Sequence, residues 1–181
     1  MLAALGELSA GGAVLDVGCG PGHVAMQLAS TGIRAVGLDL SPAMCAVGKR
    51  DTGLPFAAAD MTVLPIRSGA AAGVVSCYAV IHLDAAQRHA AYLEFARVLR
   101  PGGCALIAFH TSDADVPVGG AKQSTEWWGT PVELTFRFLD PAEEQRSLAA
   151  AGLELMARLD RRPHLGVEHP SDRSMLLLQR P

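Results

Sequence analysis

Aromatic residues are scarce: they make up 5% of the 181 residues, while half of the chain is hydrophobic. A core short of rings must be built from Ala, Val and Leu, which suits a sheet covered by Ala-rich helices. Lysine is scarcer still. Of 15 basic residues only Lys49 and Lys122 are lysines, and the formal net charge is −3. The arginines are scattered, so nothing draws a phosphate backbone and nucleic acid is not an expected partner. Long hydrophobic runs are missing as well. The longest uncharged apolar stretch, 69–83, is shorter than the roughly 18 residues that a membrane span requires, and no membrane partner is expected. No basic segment precedes Glu7, which argues against a secretory leader, and a cytoplasmic location is the expectation. Cys19, Cys45, Cys77 and Cys104 include no CxxC pair. Zinc-site and redox-motif spacings are thereby absent, no metal is expected, and the thiols read as ordinary buried ones.

What is present is an alternation of strands and helices. Ala13 to Val17 reads as a strand, Gly22 to Thr31 as a helix, Arg34 to Leu40 as a second strand, and Ser41 with Pro42 as the cap and first turn of a second helix. Leu54 to Ala59 and Gly73 to Ala79 read as strands, the latter apolar enough to be buried on both faces. A helix is allowed for between them. Asp84 to Leu99 is a long helix stopped by "RPGG", and Cys104 to Phe109 is a fifth strand. Crossovers of this length imply a parallel, doubly wound α/β sheet in one domain spanning 1–181. The pattern changes at His110. Residues 111–130 read as a long polar connection carrying both tryptophans, and Val132 to Phe138 as a half-exposed extra strand. Asp140 caps a helix over Pro141 to Ala151, and strands follow at Leu153 to Leu159 and Ser174 to Gln179. The region 111–138 is expected to form a substrate-side insertion or lid.

The stretch "VLDVGCGPGHVA" joins the first strand to the first of these helices. Glycines there allow a ligand to approach backbone N–H groups at a helix N-terminus. A phosphate loop would end in GK[ST], and this one does not. A dinucleotide loop would place a small residue where His23 stands, which weakens a nicotinamide reading without removing it. Asp39 lies 21 residues after Gly18 at the end of the second strand, where a carboxylate can accept both hydroxyls of a ribose. Asp60 follows the third strand, as an acceptor for an adenine amino group or simply as a cap. The three loops share the carboxyl edge of the sheet, where such folds bind ligands.

In this order "VLDVGCGPG", "VGLDLS", "AADMTVLP", "VVSCYAVIHL" and "ARVLRPGG" resemble the five motifs of the class I S-adenosylmethionine-dependent methyltransferases. The resemblance is close over residues 13–110. It implies a Rossmann-like, doubly wound, seven-stranded, mostly parallel sheet with an antiparallel last strand and helices on both faces. It implies S-adenosyl-L-methionine as cofactor and S-adenosyl-L-homocysteine as product. Asp16, Gly18, Cys19, Gly20, Gly22 and His23 would form the loop at the methionine end. Asp39 would take the ribose, Leu40 would flank the adenine, and Asp60 with the Met61 N–H would take its edge. Cys77 would offer its backbone carbonyl, and Tyr78 would pack near the methionine. The resembled proteins carry a longer helical segment before the first motif, so either the site is unusually open or the 111–130 segment and a second subunit cover it.

Methyl transfer from a sulfonium needs alignment above all. An O–H or N–H acceptor must also lose a proton, and His82 and His110 are the candidate catalytic bases. Tyr78, His82, His110, Trp127 and Trp128 are the candidate residues for binding a small-molecule acceptor, with Glu126 read as solvated. His89, His164 and His169 read as helix or loop surface. The expected protein is a methyltransferase, monomer or homodimer. The alternative is a protein that binds the same cofactor for a non-methyl step, or as a subunit supporting a partner enzyme.

Overall fold

A computed structural model describes residues 1–127 and 129–181, without the side chains of Trp127 and Thr130. Trp128 lies outside the described residues.

The chain starts with α1 (Leu2–Leu8) and then alternates: β1 (Ala13–Val17), α2 (His23–Ser30), β2 (Arg34–Asp39), α3 (Pro42–Thr52), β3 (Phe56–Ala58) and β4 (Ala71–Cys77). A single 3-10 turn (Val80–His82) leads to α4 (Ala85–Val98) and β5 (Leu99–Asp113). After β6 (Ala121–Trp127) and β7 (Thr130–Arg137) come α5 (Pro141–Ala150), β8 (Glu154–Arg161) and β9 (Ser171–Gln179).

The main sheet has seven strands in the order β3-β2-β1-β4-β5-β9-β8. The pairings from β3 through β5 are parallel, while β9 runs antiparallel to both neighbours, β5 and β8. The Rossmann-like sheet with an antiparallel last strand is therefore present. Burial on both faces explains the unbroken apolar runs. On β4 and β5, Val74, Ala105 and Ile107 turn into one core cluster with Tyr92, Phe95 and Leu148, while Val75, Cys104 and Leu106 turn into another with Leu5, Val14 and Leu28.

Helix starts follow their caps. The Ser41 hydroxyl accepts from Met44 N–H, Asp84 and Gln87 form a reciprocal capping box, and Asp140 accepts from Ala142 N–H. Between α4 and α5, Glu144 is buried but fully engaged: Arg88 pairs with it at 3.0 Å and the Tyr92 hydroxyl donates to it at 2.5 Å. A buried carboxylate is tolerated only with such partners.

Two expectations are corrected. No helix joins β3 to β4; the connection is made of turns. The segment 111–130 is no simple loop, because β5 continues to Asp113 and β6 occupies Ala121–Trp127. The extra strand expected at 132–138 is present as β7, outside the main sheet. It pairs antiparallel with β6 as a separate two-stranded sheet, since its neighbour in sequence offers a closer edge than the main sheet does.

Candidate functional site

The loops after β1, β2 and β3 and the turn after β4 converge on a cavity of about 520 Å³ at the carboxyl edge of the sheet. Its size falls in the range of small-molecule sites. Gly18 and Gly20 form one side, Asp39 and Leu40 the next, Asp60 and Met61 the third, and Tyr78 with His82 the fourth. Leu134 reaches it from the hairpin.

The glycines are there for backbone reasons. Gly18 has a φ of +74°, and a β-carbon on it would stand 2.2 Å from that of Ala79. Gly20 has a φ of +51° and open space where a side chain would be, which leaves its backbone accessible. Asp39 ties two loops together: Gly20 N–H donates to its Oδ2 at 2.7 Å and Ser41 N–H to its Oδ1 at 2.9 Å. Each oxygen keeps a further lone pair for a ligand hydroxyl. Asp60 is exposed and uses Oδ1 for the N–H and hydroxyl of Thr62, with no partner at Oδ2 among the described residues. Leu40 presents a flat apolar flank, 73% exposed. An acidic pair, bare backbone and an apolar flank fit a nucleoside carrying an amino acid.

Several motif residues lie behind this cavity rather than in its lining. Asp16 is buried beneath α2, where its Oδ2 accepts from Ala25 N–H at 2.9 Å. Burial is the main reason that its pKa rises to about 7, with the Asp39 charge adding and the Ala25 bond opposing. Gly22 is the N-cap of α2 at φ +89°, packed against Phe56. The Cys19 thiol donates to Gly20 C=O, and burial pushes its pKa up. His23 is exposed on the first turn of α2. The Cys77 side chain packs against the second core cluster, and burial pushes its pKa up to about 12. All four cysteines are free, two buried and two half-buried.

A second cavity of about 380 Å³ lies under the hairpin. His110, Phe136 and Phe138 line it together with Lys122, Glu126 and His169. The cavities meet at a ring stack: Tyr78 and His110 lie 4.6 Å apart between centroids at 24°. Tyr78 has the single positive φ outside glycine among the described residues, 57°, so the turn after β4 holds it in a strained conformation. Arg173, which is 6% exposed and paired with Glu168, stands 5.6 Å from the Tyr78 ring centroid on its way to the same stack.

The two candidate histidines are separated by this arrangement. His82 faces the first cavity; its Nδ1 lies 3.1 Å from Thr135 C=O, and its ring meets Phe136 edge-on. Partial desolvation of the ring where it meets the hairpin, then the nearby Arg137 charge, holds its pKa below the ordinary value, against the pull of the Thr135 bond, although the residue still reaches water. His110 faces the second, with its Nδ1 2.7 Å from Ser171 Oγ. Burial is the first cause, and Arg173 the second, of a pKa near 4. Glu126 and His169 are exposed, as expected, and both also line the mouth of the second cavity, with the His169 ring 6.0 Å from His110. His89 meets Ser147 between α4 and α5. Sequence reasoning missed Leu134, Phe136, Phe138, Arg137 and Ser171; the alternation Leu134, Phe136, Phe138 was the signal for the first three. Trp128 and the Trp127 side chain lie outside the described residues.

No cluster of metal-ligating side chains occurs among the described residues, and none of their helices is long and apolar enough to cross a membrane.

Comparison with known proteins agrees with this architecture. A family model described as a methyltransferase domain matches residues 14–103. A malonyl-[acyl-carrier protein] O-methyltransferase of Enterobacter lignolyticus is 38% identical over 103 residues, covering 56% of this chain and 39% of that protein. A ubiquinone biosynthesis O-methyltransferase of Methylocella silvestris is 30% identical over 153 residues, 77% of this chain and 57% of that one. The chain thus spans about two fifths to three fifths of the length of these relatives. Among solved structures, an S-adenosylmethionine-dependent methyltransferase of Methanosarcina mazei superposes with a TM-score of 0.79 at 17% identity, over 93% of this chain and 92% of that one. With the five motifs, the sheet order and the family match in agreement, this chain belongs to the class I S-adenosylmethionine-dependent methyltransferase family.

Proposed function

We propose that the protein transfers a methyl group from S-adenosylmethionine to a hydroxyl or amine of a small molecule. The observation that carries this reading is the meeting of two cavities at the Tyr78–His110 stack, one built of loop backbone and two carboxylates, the other of aromatic side chains. The cofactor, when bound, supplies an activated methyl on a sulfonium. Asp39 would accept from its ribose and Asp60 from its adenine amino group, the Met61 N–H would donate to the adenine ring, and Gly18 and Gly20 would leave room for its methionine end. Tyr78 would present its ring near the sulfonium, where a cation is favoured by the ring face. The acceptor would lie under the hairpin against Phe136 and Phe138, with His82 and His110 beside it. Both relatives described above are named O-methyltransferases, which favours an oxygen over a nitrogen acceptor.

The reading is tested by calorimetric titration with S-adenosylmethionine, S-adenosylhomocysteine and NADH, followed by a screen of small phenols, hydroxy acids and amines for transfer of labelled methyl. Binding of both adenosyl compounds without heat from NADH is the expected result. Absence of binding to either adenosyl compound would overturn it.

A further inference from the structure

We propose that His82 takes the acceptor's proton through Nε2, and that the hairpin selects this nitrogen through the Thr135 carbonyl and Arg137. This rests on the methyltransferase reading above and adds to it which base acts, with which atom, and what holds it there.

A backbone carbonyl can only accept a hydrogen bond. The 3.1 Å contact between His82 Nδ1 and Thr135 C=O is therefore a bond only when Nδ1 carries the hydrogen. In a neutral imidazole the lone pair then belongs to Nε2, since the bond made by one ring nitrogen decides the state of the other. His110 differs in kind. Its Nδ1 meets the Ser171 hydroxyl, which donates as readily as it accepts, so either tautomer is satisfied. Its buried surroundings also favour a neutral ring that holds protons weakly, suited to shaping the acceptor pocket more than to taking a proton.

Three consecutive hairpin residues hold His82. Thr135 supplies the carbonyl, Phe136 sets its ring edge-on at 4.8 Å between centroids, and Arg137 Nη1 donates to the carbonyl of His82 itself at 2.9 Å. The charged or titratable groups around it are Arg137 on β7, His110 on β5, Asp84, whose carboxylate is turned to the N-terminus of α4, and Asp39, Asp60 and Tyr78, which line the same cavity. The three carboxylates are bonded to N–H groups of Gly20, Ser41, Thr62 and Gln87, and none is bonded to the His82 ring, which is free to accept.

In the step itself, a lone pair of the acceptor oxygen or nitrogen forms the new bond to the methyl carbon. The sulfur–methyl bond breaks with its electron pair going to sulfur, which becomes a neutral thioether. The acceptor's proton passes to Nε2 of His82. The resulting imidazolium gives it up to water, because His82 is exposed.

The tautomer is read directly by long-range proton–nitrogen NMR of the full chain labelled with ¹⁵N-histidine. The Nδ1–H form at His82 is expected; the Nε2–H form would overturn the proposal. Arg137→Gln removes a nearby positive charge and a clamp, so the His82 titration midpoint should rise and the tautomers mix, while Arg137→Lys keeps the low midpoint. An unmoved midpoint and tautomer in Arg137→Gln would remove the hairpin from the account. With an acceptor from the screen, His82→Gln should slow single-turnover transfer ~100-fold, far more than it weakens cofactor binding. An unchanged rate would return His82 to a pocket wall. Failure of the protein to bind S-adenosylmethionine would strike the methyltransferase reading instead, leaving the tautomer measurement to stand or fall alone.

Discussion

The cavity at the glycine loop and the cavity under the hairpin touch at Tyr78 and His110, yet they are made of different material. The first is built from backbone: loops of positive φ, amide N–H groups gathered on Asp39, and residues drawn from the first 83 positions plus Leu134. The second is built from side chains brought together from β5, the hairpin and the segment before β9. A backbone site tolerates little variation in shape, because a β-carbon at Gly18 has nowhere to go. A side-chain site can be reshaped one residue at a time. That contrast suits a fixed cofactor facing an acceptor that differs between related enzymes.

The contrast can be broken most severely at Gly18. Gly18→Val adds a side chain at φ +74°, worth about 1–3 kcal/mol of strain, and a clash with Ala79 besides. Calorimetry should show S-adenosylmethionine binding lost, with the far-ultraviolet circular dichroism retained.

Asp16 offers a pH test of the layer behind the loop. Its folded pKa, about 7, lies above the ordinary 3.8, so the folded state holds the proton more tightly than the unfolded one. Stability from this group is therefore full below about pH 4 and is lost as pH rises toward 7, each pH unit being worth about 1.4 kcal/mol. Asp16→Asn should gain in melting temperature over the native chain across that window, with a constant difference above it. A difference that does not change with pH would mean that Asp16 is ionised throughout. His110 acts oppositely, since its lowered pKa costs stability as pH falls from about 6.5 toward 4. Comparison of each variant with the native chain at every pH keeps the two apart.

Asp39→Ala removes the carboxylate proposed to take the ribose and, with it, the bonds from Gly20 and Ser41. Cofactor binding should weaken by roughly 1.5–3 kcal/mol, the scale of hydrogen bonds to a charged group. Unchanged affinity would end the assignment of this carboxylate. Phe136→Ala sharpens the other side of the comparison: acceptor KM should rise about tenfold, while calorimetry should find cofactor affinity nearly intact. Equal losses in both would show that the hairpin serves the cofactor cavity as much as the acceptor cavity.

The backbone site was legible in the sequence because its determinants are local. A glycine, an acid at a strand end and a proline in a first turn carry their meaning within a few residues, and the strands β1, β2 and β4 announce themselves by apolar runs. The hairpin was half legible. Val132 to Phe138 alternates clearly, but "AKQSTEW" is too polar to read as a strand until β7 lies beside it. Helix α1 was missed because seven residues including Gly6 have little helical preference alone; Leu5, fully buried, and the contact of Gly6 with Ile33 hold it in place. His169 is at the surface as its sequence suggests, but its place beside His110 was not legible, because only the pairing of β9 with β5 brings the segment just before β9 there.

The sequence by itself determined the order of elements, the parallel sheet and the loops of the cofactor edge, since these follow from hydrophobic periodicity and from conformations that only certain residues adopt. Tertiary structure alone decided which histidine faces which cavity, which nitrogen of His82 is held by a carbonyl, and that residues 121–137 fold over the sheet's edge as a separate hairpin. Those outcomes depend on partners more than fifty positions apart, such as His82 with Thr135 and His110 with Ser171, and such pairings leave no local trace in a chain.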